Sequence, residues 1–278
     1  MVDIKEIIQV KNLVKNYGKL RAVNGISFSV KEGEFFGFLG PNGAGKTTTM
    51  KIICTLLAPT SGEVKINGYD VVGNPDGVRR SIGMVFQEAS LDENLTAWEN
   101  LDFHAVLYNV PDIQKESRII EVLEMAGLMA RKNDLVSTFS GGMKRRLEVA
   151  RGLLHRPRIL FLDEPTMGLD PQTRRHIWAY IQDLRKRESI TVFLTTHYMD
   201  EAELADRVGV IDNGKIIALD TVANLKKQVG GKSNNLTLDD VFLALTGWQI
   251  REEVASSKDK MREENHRWKI LNKKQNNH

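Results

Sequence analysis

The chain has 278 residues, enough for one large domain or two small ones around a substantial core. Its 39 Lys and Arg against 36 Asp and Glu leave a net charge of only +3, too balanced for nucleic acid as the main partner. No apolar run approaches the roughly 18 to 20 residues of a membrane span, Met1–Glu6 lacks the basic-then-apolar pattern of a signal peptide, and the single Cys54 excludes an intramolecular disulfide and fits a reducing compartment.

The opening residues predict β structure: Ile7–Val10, Leu13–Lys15 and the alternating Ile26–Val30, punctuated by Gly18, Gly25 and Gly33. Tyr17 is an aromatic in a polar turn between the first strands. It can stack on an adenine face or pack half-buried, and the residues alone leave both open. Phe35–Leu39 reads as a buried strand, and Thr49–Ile53 as a helix. Between them stands Gly40-Pro41-Asn42-Gly43-Ala44-Gly45-Lys46-Thr47-Thr48, a P-loop in the context such a loop requires. Glycines let successive backbone N–H groups turn inward and cradle phosphate at the positive end of the helix. Lys46 then reaches the β- and γ-phosphates, and the Thr47 hydroxyl can ligate Mg²⁺.

Gly62–Ile66, Asn67-Gly68 and Tyr69–Val72 predict a hairpin, and Ser81–Phe86 a strand ending at Gln87. The pattern then changes. Thr96-Ala97-Trp98-Glu99 is a capping box, with Leu101, Ala105 and Tyr108 following at helical spacing; Ile119, Val122, Leu123 and Ala126 continue to Gly127. Glu88 to Thr138 thus reads as a helical insertion. Ser140-Gly141-Gly142-Met143 opens another helix, with Leu147, Ala150, Arg151 and Leu154 on one face, before Pro157. Ile159–Leu162 has the continuous apolar character of a strand buried on both faces, and it ends in Asp163-Glu164-Pro165. Carboxylates at the carboxyl end of a central strand lie where ligands bind in open α/β sheets. There Asp163 can hold the Mg²⁺ shell and Glu164 can take a proton from an attacking water. A helix from about Gln172 to Arg187 leads to the strand Ile190–Thr195, which places His197 near the γ-phosphate or the water, while His176 has no assigned role. Arg207–Ile211, Asn213-Gly214 and Lys215–Leu219 form a second hairpin.

From Ile7 to Leu225 these motifs stand in an order that resembles the ATP-binding subunits of ABC transporters. The resemblance implies an α/β fold, a P-loop NTPase of ABC type with an antiparallel β subdomain, a RecA-like core and a helical subdomain at about 88–155. It puts the ATPase domain at 1–225, a short linker and helix at 226–247, and a charged tail at 248–278. Tyr17 matches the adenine-stacking aromatic, Gly40 to Thr48 Walker A, and Gln87 the loop that senses Mg²⁺ and the membrane partner. Ser140-Gly141-Gly142 match the signature motif, Leu160–Asp163 Walker B, Glu164 the catalytic carboxylate, Leu169-Asp170 the D-loop and His197 the switch histidine. Two spellings depart from the usual pattern. Met143 replaces the signature glutamine, and Met167-Gly168 precedes Leu169-Asp170 where many relatives have serine and alanine.

Both spellings resemble the daunorubicin-resistance-type exporters, as does Leu236–Gly247, which reads as a short helix capped by Thr237, striped by Leu238, Val241, Phe242 and Leu245, and stopped by Gly247. Only Gly230–Asn235 precedes it, where that subgroup carries a longer accessory segment. The tail from Arg251 reads as a disordered or loosely helical end, in which Trp268-Lys269-Ile270-Leu271 can touch anionic lipid. The resemblance further implies ATP and Mg²⁺ as cofactors and a cytoplasmic location, peripheral on the inner face of the cell membrane. It implies a homodimer, or pairing with a second ATPase subunit, in which each nucleotide sits between Walker A of one chain and Ser140–Gly142 of the other. A separate multi-span permease would carry the exported cargo. The alternative is a soluble ABC-type ATPase acting on ribosome or nucleic acid; relatives of that kind carry tandem cassettes or a long coiled coil, which this sequence lacks. A P-loop kinase would leave Ser140–Gly142 without a use.

Overall fold

The computed structural model describes residues 5–87, 90–230 and 236–247. A twelve-residue strand, β1 (Glu6–Tyr17), pairs antiparallel with β2 (Leu20–Lys31). The sequence predicts two strands where β1 is one. Its register slips between Val10 and Leu13, Asn12 takes a left-handed φ of 48°, and the Asn12 backbone N–H donates to Ser27 Oγ at 2.8 Å. This bulge turns the apolar side chains back to the core face, so the pattern breaks but the strand does not. With β4 (Ser61–Ile66) and the short β5 (Tyr69–Asp70), these strands form a four-stranded antiparallel sheet in the order β2-β1-β4-β5.

The second sheet has six strands. They are β3 (Phe35–Leu39), β6 (Ile82–Val85), β7 (Ile159–Asp163), β8 (Thr191–Thr196), β9 (Arg207–Asp212) and β10 (Lys215–Asp220), in the order β10-β9-β3-β8-β7-β6. Five run parallel, and only β10 is antiparallel. Every residue of β3, β7 and β8 is buried, as the continuous apolar runs predict for a sheet covered on both faces. Phe28 of the antiparallel sheet joins the two layers by packing on Phe36 and Phe38 of β3 at ring separations of 5.6 and 5.5 Å, with Phe193 of β8 completing the cluster. These contacts fix the antiparallel sheet, and with it Tyr17, beside the P-loop strand.

Helix α1 (Lys46–Ile53) begins three residues earlier than its apolar pattern predicts, because Lys46, Thr47 and Thr48 already have helical backbone under the loop. Helix α2 (Pro75–Ser81) has no counterpart in the sequence reading and shortens the predicted strand at 81–86 to β6. The helical insertion contains α3 (Ala97–Leu107), with the Thr96–Glu99 capping box in place, and α4 (Asp112–Met125); Tyr108 caps α3 rather than continuing its buried stripe. Helix α5 (Gly141–Gly152) starts at Ser140 and stops two residues short of Leu154. Helix α6 (Pro171–Glu188) and the one-turn α7 (Met199–Ala202) flank β8.

One compact unit ends at Val222 and a second begins at Ala223. The second holds α8 (Val222–Gly230) beyond its first residue and α9 (Leu238–Thr246). In α9 Thr237 forms a capping box with Asp240, Gly247 ends the helix, and Leu238, Val241 and Phe242 are buried. Glu88 and Ala89, the segment from Gly231 to Asn235, and the charged tail from Trp248 with its Trp268–Leu271 stretch lie outside the described residues.

Candidate active site

Parallel pairing carries three functional segments to one rim. Leu39 is in register with Thr196, and Asp163 with Thr195, so the carboxyl ends of β3, β8 and β7 lie side by side. The P-loop leaves β3, Glu164 leaves β7 and His197 leaves β8, at the sheet edge where α/β folds bind ligands.

Gly45 closes the loop with φ 106°, and a Cβ there would meet the Ala22 carbonyl oxygen at 2.5 Å, so only glycine fits. No side chain caps the N-terminus of α1, and its first turn contains no acidic residue. The free N–H groups and dipole of that helix end suit an anion. Lys46 is buried, and its Nζ donates to the carbonyls of Gly40 at 2.8 Å and Pro41 at 3.1 Å. The same nitrogen lies 3.4 Å from Glu164 Oε1, and His197 Nδ1 lies 3.1 Å from Glu164 Oε2 without the angle a hydrogen bond needs.

Electrostatics follow from this packing. Burial lowers the Lys46 pKa, with Glu164 and Asp163 opposing the shift. Burial raises that of Asp163, whose Oδ1 accepts from Thr195 Oγ1. Burial also pushes Glu164 upward, but the His197 ring and the Lys46 charge outweigh it and hold the carboxyl below its usual range. Glu164 also has a left-handed φ of 46°, sparsely populated for a side chain of this kind.

A cavity of about 490 Å³ is lined by Tyr17, Gly43, Lys46, Thr47, Gln87 and Glu164 among others. Tyr17 is exposed at the end of β1 with Lys15 Nζ 5.4 Å from its ring centroid, which favours the open face over the packed alternative. Gln87 Nε2 is 3.2 Å from Met167 Sδ. Among the described residues no group of three or more His, Cys, Asp or Glu side chains is placed to hold a metal ion by itself. Thr47, Asp163 and Gln87 could instead hold Mg²⁺ together with phosphate oxygens, the usual mode for this ion.

Two predicted elements stand elsewhere. Ser140 and Gly142 line a different cavity of about 390 Å³ with Met143, Thr173 and Tyr180. Ser140 caps α5 by accepting the Met143 backbone N–H at 3.3 Å, and a Cβ on Gly142 would meet Thr173 Cγ2 at 2.6 Å. Asp170 caps α6, accepting from the backbone N–H groups of Gln172 and Thr173, both at 3.0 Å. The sequence reading did not single out Arg145, whose guanidinium reaches the Glu164 and Pro165 carbonyls, or Glu201, which accepts from Thr166, Thr196 and Trp178. Their only sequence signal is charge at helical positions, which usually means a solvated face.

Residues 23–167 match the family model described as ABC transporter. The linearmycin resistance ATP-binding protein LnrL of Bacillus subtilis (strain 168) is 45% identical over 226 residues, covering 81% of this chain and 72% of that protein. The daunorubicin/doxorubicin resistance ATP-binding protein DrrA of Streptomyces peucetius is 44% identical over 234 residues, covering 84% and 71% respectively. Among solved structures, the dimeric post-hydrolysis state of the ATP-binding cassette MJ0796 bound to ADP and Pi superposes with a TM-score of 0.69. It is 31% identical, and the match covers 77% of this chain and 98% of that one.

Proposed function

The chain belongs to the ABC transporter family, and from that membership we propose that it powers export through a separate multi-span permease by binding and hydrolysing ATP in a head-to-tail dimer. Its relatives include linearmycin- and daunorubicin-resistance ATP-binding proteins, and the similar MJ0796 cassette is solved in a post-hydrolysis state bound to ADP and Pi. The reading rests most on one observation: Lys46 and His197 each lie within 3.4 Å of Glu164 at the rim of three adjacent strands, and Lys46 and Glu164 line a cavity with Tyr17 and Gln87.

In this reading the adenine stacks on Tyr17 and the phosphates occupy the loop from Gly40 to Thr48. Lys46 exchanges its carbonyl partners for phosphate oxygens. Thr47, Asp163 and Gln87 would hold Mg²⁺, whose charge would offset that developing on the phosphates. Glu164 takes a proton from water as the water oxygen attacks the γ-phosphorus and the bond to the β-phosphate oxygen breaks, giving ADP and phosphate; His197 orients the pair. Ser140–Gly142 face the nucleotide of a second copy, across which Asp170 also lies. Their separation from the Lys46 cavity within one chain supports this, since a helix N-terminus with no acid in its first turn is then free to meet an opposing phosphate. The dimeric architecture of the MJ0796 cassette supports the same arrangement.

Among the described residues no helix is long and apolar enough to cross a membrane. In the proposed reading the pore belongs to a separate permease, with this chain on its cytoplasmic face. A surface suited to that partner lies on the helical insertion, where Phe103, Val106 and Leu107 of α3 and Ile113 at the start of α4 are all exposed, Ile113 to 92%. The resistance names of LnrL and DrrA favour this reading over a ribosome- or nucleic-acid-acting ATPase.

Glu164→Gln tests the reading. Turnover should fall about 10²- to 10⁴-fold, the usual worth of a positioned base, while ATP still binds and now stabilises a dimer on size exclusion. Wild-type turnover in this variant would remove Glu164 from the chemistry. A monomer in saturating ATP would remove the head-to-tail arrangement.

A further inference from the structure

Arg145 lies in the second turn of α5, only 6% exposed, and its guanidinium spans the ends of two strands, β7 and β6. Nε donates to the Pro165 carbonyl and Nη2 to the Glu164 carbonyl at 3.3 Å, both just beyond β7. Nη1 donates to the Phe86 carbonyl at 2.6 Å, immediately before Gln87, and to Glu148 Oε2 at 2.8 Å. The other oxygen of Glu148 accepts the Ser90 backbone N–H at 2.8 Å, while Arg151 donates to the Ser90 carbonyl at 2.6 Å and to its hydroxyl. One face of α5 therefore grips the segments that carry Glu164 and Gln87.

A structural ion pair would explain Arg145 and Glu148 alone, but a buried pair is poor evidence of a stabilising role. It would not explain three carbonyls taken from the two functional turns. Nor would it address the backbone of Glu164. That residue is left-handed, and its conformation is held from three sides: its N–H donates to the Thr195 carbonyl at 3.0 Å, its carbonyl accepts from Met167 at 3.1 Å, and Arg145 supplies the third contact. Only a planar fork of donors can serve three carbonyls and a carboxylate at once.

We infer that Arg145 is a positioning residue that ties the helix opening at Ser140 to the same chain's own Glu164 and Gln87 turns. The inference rests on Glu164 as general base and on Ser140–Gly142 meeting the nucleotide of a second copy. Its consequence is a mechanical link between the two ATP sites of a dimer. A chain whose α5 has docked on the opposing phosphate holds its own Glu164 in place, so each site is completed by engagement of the other.

The test compares wild type, Arg145→Lys, the double variant Arg145→Gln with Glu148→Gln, and Glu164→Gln, with thermal melting, ATP affinity by calorimetry, and steady-state kinetics over a range of ATP. The double variant removes the two partners of this ion pair together, so neither Arg145 nor Glu148 is left as an uncompensated charge, and Arg151 keeps its contacts to Ser90. In both Arg145 variants kcat should fall about 10- to 100-fold, the effect of a small displacement of the base, while KM and nucleotide affinity stay within about threefold. The Hill coefficient should fall toward about 1, because docking at one site no longer sets the other. Arg145→Lys keeps a cation opposite Glu148 and should not restore turnover. Full activity in Arg145→Lys, or in a folded double variant, overturns the inference; if the double variant does not fold, Arg145→Lys decides. An inactive Glu164→Gln beside fully active Arg145 variants discards only the link, whereas an active Glu164→Gln discards the reading on which it rests.

Discussion

Glu201 provides a test of whether the rim that carries Glu164 and His197 is fixed from behind. The side chain is 1% exposed, and one oxygen accepts from Thr166 Oγ1 and from Trp178 Nε1 at 3.3 Å, the other from Thr196 Oγ1 at 2.6 Å. Thr166 lies two residues after Glu164, and Thr196 immediately precedes His197. Glu201→Ala leaves three buried donors without an acceptor and opens a void. At about 1–3 kcal/mol for each orphaned donor, with the two hydroxyls free to turn toward carbonyls and so at the low end, the loss should be about 3–5 kcal/mol. Glu201→Gln retains one acceptor oxygen, and its new N–H₂ can donate to a threonine hydroxyl, so about 1–2 kcal/mol is expected. Urea unfolding measures both. In the fraction that remains folded, kcat should fall at least about tenfold, because the segments bearing the proposed base Glu164 and His197 are no longer held. Burial raises the Glu201 pKa above its ordinary 4.5, with the hydroxyl and indole donors opposing. The protonated native form is therefore favoured: this contribution is complete below the unfolded value and is lost as pH rises through the native one. The stability advantage of wild type over Glu201→Gln should accordingly shrink as pH rises above 4.5. An Ala variant that costs less than about 1 kcal/mol, or an advantage that grows with pH, would refute the argument.

Lys46→Ala removes the ammonium at the phosphate site and should weaken ATP binding by at least about 100-fold, the worth of a desolvated charge-assisted contact; calorimetry showing unchanged affinity would contradict the P-loop assignment. Met143→Gln places a hydrogen-bonding side chain beside Ser140–Gly142 and should change ATP-driven dimerisation by no more than about threefold, since the serine and glycines proposed to approach the phosphate are unaltered; light scattering against ATP concentration measures it. His104 is held neutral by burial and by Arg151, with its pKa lowered to about 4. The unfolded chain takes up this proton near pH 6.5 and the native chain does not until about 4, so stability is lost as pH falls across that interval. The imidazole is partly exposed, so about 1 kcal/mol is expected, and His104→Leu should flatten the acid side of the stability profile.

The P-loop and the strands β3, β7 and β8 are readable from sequence because local chemistry and tertiary burial demand the same residues there. Glycine, lysine and threonine are needed by the loop itself, and a strand covered on both faces must be apolar throughout. Arg145 shows where that agreement ends. In Lys144-Arg145-Arg146-Leu147-Glu148 the charges have the spacing of a solvated helix face, and nothing local reveals that the ends of β6 and β7 pass beneath Arg145 and Glu148 and bury them. Glu201 is hidden likewise beside Asp200. Helix α2 fails for a different reason. Seven residues are too few to show a period, although Asn74 accepting the Gly77 N–H and proline in the first turn are a legible start signal. The Asn12 bulge disrupted a period-two pattern that β1 preserves in space. The position of Ser140–Gly142 away from Lys46 is a property of packing between elements, and the motif order gives no account of it within a single chain.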